Sequence, residues 1–543
     1  MLDAVTTTPP PINEPVLDYA PGSAEREALQ DRIKELAGSP AELPMTIDGK
    51  QRMGGGERVD VVQPHAHRSV LGTFGTATQG DAQSAIDAAL AAAKAWRETS
   101  FDDRAAVFLK AADLLAGPWR QTLNAATMLG QSKTCYQAEI DSACELIDFW
   151  RYNVSFAGQI RSEQPQSTRG VWNRTDHRPL EGFVYAITPF NFTAIAGNLA
   201  TAPALMGNVV LWKPSPAQQF AAHLTMQLLT AAGLPPGVIN LLTGDGQAVS
   251  EVALDHPALA GIHFTGSTAT FRHLWRTVGE GVECYRTYPR LVGETGGKDF
   301  VVAHASADPA VLRTALIRGA FDYSGQKCSA ASRAYVARSV WERIRDDLAA
   351  QVDALRIGDP TTDFSAFTGA VIDARSFARL RDALLRAAAT PSIRVLAGGT
   401  CDDSEGWFVR PTLLEGADPD DEAFTTEYFG PVLAVHVYED DQYDRVLEMI
   451  DTATPYALTG SVVAQDRAAV ATALARLRFA AGNIYVNDKP TGAVVGQQPF
   501  GGGRSSGTND KAGSALNLQR WTSPRSIKET FVPATDHAYP HMG

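Results

Sequence analysis

The sequence predicts an α/β protein of two domains, each built on a largely parallel sheet. Three observations predict it. From Gly182 to about Gly279 short apolar runs alternate with helical periods, and a second alternating region runs from Lys298 to about Val486. The length, 543 residues, allows two to four domains with ample buried core. Strands that alternate with helices imply parallel sheets covered on both faces.

The elements follow in order. The stretch to about Gln79 is punctuated by Pro and Gly and reads as an irregular arm on the surface. From Asp81 to Trp150 the period is helical: "DAQSAIDAALAAAKAW" opens on an Asp cap, and "QAEIDSACELIDFW" repeats apolar residues at spacings of three and four. Cys144 shares that face with Ile140, Leu146 and Ile147 and reads as core, as does Cys135. "GFVYAITP", "NVVLWKP", "GVINLLTG" and "LAGIHFTGS" then read as strands, with helices between them and after the last. Ligands of such sheets bind beyond the carboxyl ends of the strands, and Asn191, Lys213, Gly244 and Ser267 fall there. "STRGVWNRTDHRPLEG" and "LNLQRWTSPRSIKETF" have little helical period and are expected to pair as strands outside both domains.

Composition narrows the function. Formal charge is 48 minus 61, or −13, with no long basic run, which argues against nucleic acid. No run approaches eighteen apolar residues, so no membrane span is expected. The five cysteines show no Cys-x-x-Cys spacing, which argues against a disulfide framework or a metal site and fits a reducing compartment. The opening "MLDAVTTTPPPINEPV" lacks the basic start and apolar core of a signal peptide and the Arg-rich character of a transit peptide, so cytoplasm is the expected location.

Several residue patterns carry chemistry. Cys328, in "GQKCSAA", needs access, a lowered pKa and an oxyanion partner to act as a nucleophile, and the adjacent Lys327 would favour thiolate if the two side chains converge. An inert loop cysteine is the other reading of that segment. Glu294 ends an apolar strand in "LVGETGGKDF"; two glycines after it permit close backbone approach, and a glutamate there could activate water or simply be solvated. Asn191 in "ITPFNFTAI" is placed to hold an oxyanion or to cap a helix. Gly266 and Ser267 open a helix after a strand, where backbone N–H groups favour phosphate. No complete G-x-G-x-x-G is present; "TGDGQAV" offers only Gly244 and Gly246.

Together T-P-F-N-F, W-K-P, F-T-G-S, E-T-G-G-K, G-Q-K-C, E-Y-F-G-P-V and P-F-G-G occur in one order. In this the chain resembles the NAD(P)-dependent aldehyde dehydrogenase superfamily. "AEIDSACELIDFWRYN", "TGAVVGQQPFGGGRSSGTNDKAG" and "LQRWTSPRSIKET" resemble its 1-pyrroline-5-carboxylate (L-glutamate γ-semialdehyde) dehydrogenase branch. The resemblance implies an arm at 1–79, a Rossmann-type NAD-binding domain at 80–170 and 188–292, an α/β catalytic domain at 293–500, and a β-flap for oligomerisation at 171–187 and 508–543. It implies Cys328 as nucleophile, Asn191 with the Cys328 N–H as oxyanion holder, and Glu294 as base for thioester hydrolysis. Lys213, Ser215, Gly244, Gly266, Ser267, Glu427 and Phe429 would hold NAD. Phe192 and Phe500 would sandwich the substrate chain; Ser329, Gly492 and Ala493 would anchor its α-carboxylate, with Lys327 beside them.

Two positions depart from the branch's pattern. Ala493 stands where relatives often carry Ser, keeping a backbone N–H and losing a hydroxyl worth about 1 kcal/mol. Pro216 stands where many NAD-preferring relatives have Glu, so this loop carries no acid to repel a 2′-phosphate. The resemblance further implies a small-molecule substrate, no metal, a homo-oligomer built on a dimer, and transient contact with proline dehydrogenase. Glu294 argues against a CoA-acylating relative, which lacks that glutamate. A cofactor-free cysteine hydrolase would need a histidine base, and none is expected near these motifs. A non-catalytic protein on this fold would tolerate loss of Cys328, Glu294 or Asn191, and all three are present.

Overall fold

The computed structural model describes residues 6–244 and 246–543; the first five residues of the expected arm lie outside them. Two seven-stranded sheets carry the molecule. In the first, strands Phe183–Thr188, Val209–Pro214, Ile239–Leu241, Leu259–Thr265 and Arg290–Glu294 run parallel. Their apolar runs are buried on both faces, as a sheet between two helical layers requires. The chain steps outward from Phe183–Thr188 to Ile239–Leu241 and then returns to its other side with Leu259–Thr265 and Arg290–Glu294. That reversal opens a crevice between the carboxyl ends of Phe183–Thr188 and Leu259–Thr265.

One face of this sheet packs on helices Phe101–Ala116, Glu145–Ser162 and Thr193–Leu205 around Trp96, Trp150, Trp212 and Trp521. The other packs on helices Gln79–Glu98, Gln247–Asp255 and Thr268–Glu280. Helix Thr193–Leu205 is nearly all small residues, so it can lie sealed in the first layer despite Pro203. A π-helical stretch, Glu139–Cys144, precedes Glu145–Ser162 where an uninterrupted α-helix is expected.

The second sheet runs in the order Ile393–Ala397, Thr412–Gly416, Val432–Tyr438, Ala331–Ala337, Asp299–Ala303, Thr459–Val463, Asn483–Val486, parallel except at the first pair. Strands Val171–Pro179 and Thr522–Thr530 pair antiparallel as a separate two-stranded flap, as expected.

The arm differs from expectation. It holds helix Ala24–Ala37, capped by Ser23, and several short strands, of which Met45–Ile47 and Lys50–Arg52 extend the first sheet. Strands of two or three residues are too short to show a period of two, whereas Arg58–Gln63 and Ala66–Gly75 form an antiparallel hairpin of ordinary length within the same arm. Two expected boundaries also fall inside strands: 187/188 cuts Phe183–Thr188, and 292/293 cuts Arg290–Glu294. After the flap boundary at 508 the chain first returns to the first core through Leu518 and Trp521. Among the described residues no helix is long and apolar enough to cross a membrane.

Candidate active site

Cys328 leaves helix Pro309–Phe321 through a tight turn in which Tyr323, Ser324 and Gly325 all have positive φ, +51°, +50° and +64°. Two non-glycine residues in the left-handed region are strained, and the turn is over-determined to hold them: Ser324 N–H donates to Thr368 Oγ1 (2.6 Å) and its hydroxyl to Gly369 O (2.7 Å). The turn delivers Cys328 to a cavity that also receives Glu294, Phe192, Ser329, Thr491, Gly492, Ala493 and Phe500. Cys328 precedes its strand rather than following it, so the carboxyl-end rule that placed Asn191 and Ser267 does not place the cysteine.

Burial raises the Cys328 thiol well above its ordinary pKa, and the carboxyls of Asp299, Glu294 and Glu427 add to the effect. Lys327 does not oppose it. Its ammonium turns away to Asp322 (2.6 Å) and Asp141 (3.6 Å), so the convergence that would favour thiolate is absent. Cys144 is raised too, by burial and by Glu139, yet it is sealed at 5 % exposure. What separates the two cysteines is access, not acidity.

Glu294 ends strand Arg290–Glu294, and its carboxyl accepts the Gly502 N–H at 3.0 Å. Burial raises its pKa well above the ordinary carboxylate range, partly offset by that hydrogen bond and by Lys511. Gly296 is required by sterics: a Cβ there would collide with the Glu427 carboxylate, whose Oε1 accepts the Gly297 N–H at 2.9 Å. Asn191 lies just before helix Thr193–Leu205 and is buried; its amide donates to Gln326 O at 3.0 Å, which ties it to the Cys328 loop and leaves a second N–H. It does not cap the helix: Phe192 is the capping position, without a side-chain bond.

The crevice of the first sheet holds the expected cofactor residues. The buried Lys213 amine donates to Gly244 O (3.2 Å), and a Cβ at Gly246 would lie 2.9 Å from its Cε. Ser215 N–H is fixed on Thr188 O (3.0 Å). Gly266 cannot carry a side chain, since a Cβ would sit 2.8 Å from the Phe264 ring. Ser267 caps helix Thr268–Glu280 by accepting the Thr270 N–H at 3.1 Å. Phe429, at φ +56°, meets Phe190 edge-on at 5.8 Å. Backbone N–H groups and a buried amine beside this crevice suit a pyrophosphate, and the Glu427 carboxylate, fixed by the Gly297 N–H, suits a ribose hydroxyl.

Four groups that the sequence reading did not single out share or border this cavity. Lys133 lies over the Phe192 ring (4.2 Å to its centre) and pairs with Asp141 (2.6 Å), while burial lowers its pKa to about 8. Asp141 and Glu145 line the cavity, and burial, then Asp141, push Glu145 up to about 8. Their signal was present as acids four apart on an otherwise apolar helical face, which the π-helical stretch turns toward the cavity. The fourth is His263, next to F-T-G-S, which corrects the expectation that no histidine lies near the motifs. Its Nδ1 faces Leu199 O (2.9 Å), its ring packs on Trp521 (centres 4.7 Å apart), and burial lowers its pKa to about 3, so it is neutral. Among the described residues no three His, Cys, Asp or Glu groups are placed to hold a metal, and all five cysteines are unpaired.

Residues 52–527 match the model of the aldehyde dehydrogenase family. A crystal structure of the Δ-pyrroline-5-carboxylate dehydrogenase from Mycobacterium tuberculosis bound with NAD superposes with a TM-score of 0.97 at 66 % identity, covering 100 % of both chains. A probable Δ-1-pyrroline-5-carboxylate dehydrogenase of Schizosaccharomyces pombe is 52 % identical over 97 % of each chain. The mitochondrial Δ-1-pyrroline-5-carboxylate dehydrogenase of Homo sapiens is 48 % identical over 98 % of this chain and 94 % of its own.

Proposed function

The chain belongs to the aldehyde dehydrogenase family, and from that premise we infer its reaction and the part each residue plays in it. The reaction is the NAD-dependent oxidation of L-glutamate γ-semialdehyde, the open form of 1-pyrroline-5-carboxylate, to L-glutamate in proline degradation. NAD is the hydride acceptor. The observation that carries the residue roles is one cavity in which Cys328 and Glu294 meet two aromatic walls and a glycine-bearing loop.

Cys328 sulfur bonds to the aldehyde carbon as its thiol proton passes to solvent water, and the carbonyl π-electron pair moves to oxygen to give a tetrahedral oxyanion. The Asn191 amide and the Cys328 N–H stabilise that oxygen; one such donor is typically worth a hundredfold or more in rate. Loss of hydride from the same carbon leaves a thioester on Cys328. Glu294 then takes a proton from water as the water oxygen attacks the thioester carbon, and the carboxylic acid leaves as the thiol re-forms. The raised pKa of Glu294 suits a group that must accept a proton and release it near neutrality.

Lys213, Ser215, Gly244, Gly266, Ser267, Glu427 and Phe429 hold NAD in this reading. Phe192 and Phe500 flank the methylene chain, and Ser329 with the Gly492 and Ala493 backbone anchors the α-carboxylate, with Lys327 adding positive charge beside Phe192. NAD reduction measured with 1-pyrroline-5-carboxylate against a panel of simple aldehydes tests the assignment; equal use of all of them would overturn it.

Assembly follows from the flap. Strands Val171–Pro179 and Thr522–Thr530 form a two-stranded sheet of their own and expose Trp172, while Asn483–Val486 is an edge strand of the second sheet. Open edges are best buried on another copy, which supports a closed homo-oligomer built on a dimer. Light scattering at micromolar concentration should show no stable monomer. Five unpaired thiols support a reducing, cytoplasmic location. Contact with proline dehydrogenase, which supplies this substrate class, remains part of the proposal.

A further inference from the structure

We propose that Asn13, in the N-terminal arm, is a positioning residue for the substrate: it pins the loop that anchors the α-carboxylate. The proposal rests on the reading of Ser329, Gly492 and Ala493 as that anchor.

The loop is built to need a pin. Gly492 (φ +92°) and Gly496 (φ +80°) bracket Ala493, Val494 and Val495, so both ends of the anchor are backbone positions of high freedom. Beyond them a turn closes on itself: Val494 O accepts the N–H groups of Gln497 and Gln498, each at 3.0 Å, and Val494 N–H donates to Gln498 Oε1 at 3.0 Å. Among the described residues, every hydrogen bond that 492–498 makes outside itself goes to Asn13.

Asn13 spends half of its bonding capacity on the loop and half on helix Glu145–Ser162. Nδ2 donates to Val495 O (2.9 Å) and to Asp148 Oδ2 (2.8 Å). Oδ1 accepts from the Gln497 side-chain amide (3.0 Å) and from the Tyr152 hydroxyl (3.1 Å). Two donors and two acceptor sites are all a carboxamide has. The orientation is forced, because a flipped amide would set its oxygen against the Asp148 carboxylate. The side chain therefore clamps the loop to helix Glu145–Ser162, whose Glu145 and Phe149 line the same cavity.

The arm can bear this role because it is itself fixed. Glu14 N–H donates to Asp148 Oδ1 (2.7 Å), the Arg120 guanidinium holds Pro15 O (2.7 Å), and Leu17 N–H donates to Glu139 Oε1 (2.9 Å). A segment 482 residues away in sequence thus sets one wall of the substrate pocket while touching no reacting group.

Asn13→Ala, Asn13→Asp, Gln497→Ala and Ser329→Ala, each in the full chain, test the proposal. For Asn13→Ala the KM for L-glutamate γ-semialdehyde should rise about tenfold, with its kcat and the kcat/KM for propanal within about twofold of wild type. Backbone amides of 493–497 should exchange about tenfold faster by mass spectrometry. Asn13→Asp keeps the size but sets like charges against Asp148, and should show the same split. Gln497→Ala, at an exposed side chain, should show it at about threefold and guards against a folding failure of the Asn13 variants. Wild-type KM and exchange in Asn13→Asp and Gln497→Ala would overturn the pin, as would an equal loss with propanal. If Ser329→Ala leaves the preference for semialdehyde unchanged, the anchor reading fails instead, and the exchange rates alone decide whether Asn13 holds the loop.

Discussion

The two ends of the cavity treat their ionisable groups in opposite ways. At the reacting end Cys328 and Glu294 are half-buried without a counter-charge in contact; both pKa values are raised, and among the described residues the one hydrogen bond to the Glu294 carboxyl comes from a backbone N–H. At the polar end most charges are paired, Lys133 with Asp141 and Lys327 with Asp322 and Asp141, while Glu145 beside them is held neutral by burial and by Asp141. Despite burial, Lys327 holds Asp322 below the ordinary carboxylate range. An unpaired buried acid can take up a proton at small cost, because desolvation already penalises its charged form. A paired one cannot, since removing either charge strands the other. The difference teaches which end does chemistry and which end gives the pocket its shape.

The largest effect should come from Cys328→Ala. It removes the only atom that carries the covalent intermediate, so NAD reduction should fall by about a thousandfold or more while NAD binding persists. Thermal stability should be close to wild type, since no counter-charge is stranded. Retention of a tenth of the activity would break the contrast at its centre.

Glu294→Gln sharpens it. The amide keeps the shape and the Gly502 hydrogen bond but cannot take a proton, so steady turnover should drop about a hundredfold while a rapid-mixing burst of NADH near one per site survives. The pH sign follows from the raised pKa. In the wild type the carboxyl stays protonated through the range where ordinary glutamates have ionised, so kcat should climb as pH rises above that range. The climb should vanish in Glu294→Gln. Equal loss of burst and steady state would move Glu294 to another step.

That the reacting end was legible in the sequence, and the polar end was not, has a physical cause. Cys328, Glu294 and Asn191 sit in short motifs whose glycines and turns are local necessities: Gly296 exists so that Glu427 can approach. The parallel strands were legible too, because burial on both faces writes itself as a continuous apolar run, as in Val209–Pro214. Lys327 was misplaced because chain adjacency to Cys328 says nothing about where a long side chain finds its counter-charge. Asp141 and Glu145 hid on an apolar helix, where a π-helical stretch changes which face they occupy. Asn13 had no local signal at all, since its partners at Val495 and Gln497 lie nearly five hundred residues on and only the fold brings them together.

Lys327→Met should act the other way round. It leaves Asp322 and Asp141 buried with less compensation, and breaking one partner of such a pair costs about 3–5 kcal/mol. Unfolding by urea should show a loss of that order, with kcat for a small aldehyde lowered far less than in Glu294→Gln. The double variant Lys327→Met, Asp322→Asn should recover part of the stability, because it removes the stranded charge. A stability loss no greater than that of Cys328→Ala would show that the polar end is not held by its pairs.

The smallest effect belongs to Ser329, which stands between the two ends. Its hydroxyl meets Thr491 Oγ1 at 2.7 Å, so it ties the cysteine loop to the anchor loop and can also donate to a substrate carboxylate. A hydrogen bond to a charged group is worth about 1.5–3 kcal/mol, roughly ten- to a hundredfold in kcat/KM. Wild type should therefore favour L-glutamate γ-semialdehyde over propanal by at least about tenfold, and Ser329→Ala should narrow that ratio by lowering the semialdehyde value alone. Thr491→Val separates the two roles, because it cuts the tie and leaves the Ser329 hydroxyl in place. If donation to substrate is what matters, Thr491→Val should keep most of the preference, the hydroxyl having lost a competing partner. If the tie is what matters, Thr491→Val should reproduce Ser329→Ala, and discrimination would then come from the rigidity of the loop that Asn13 holds at its other end.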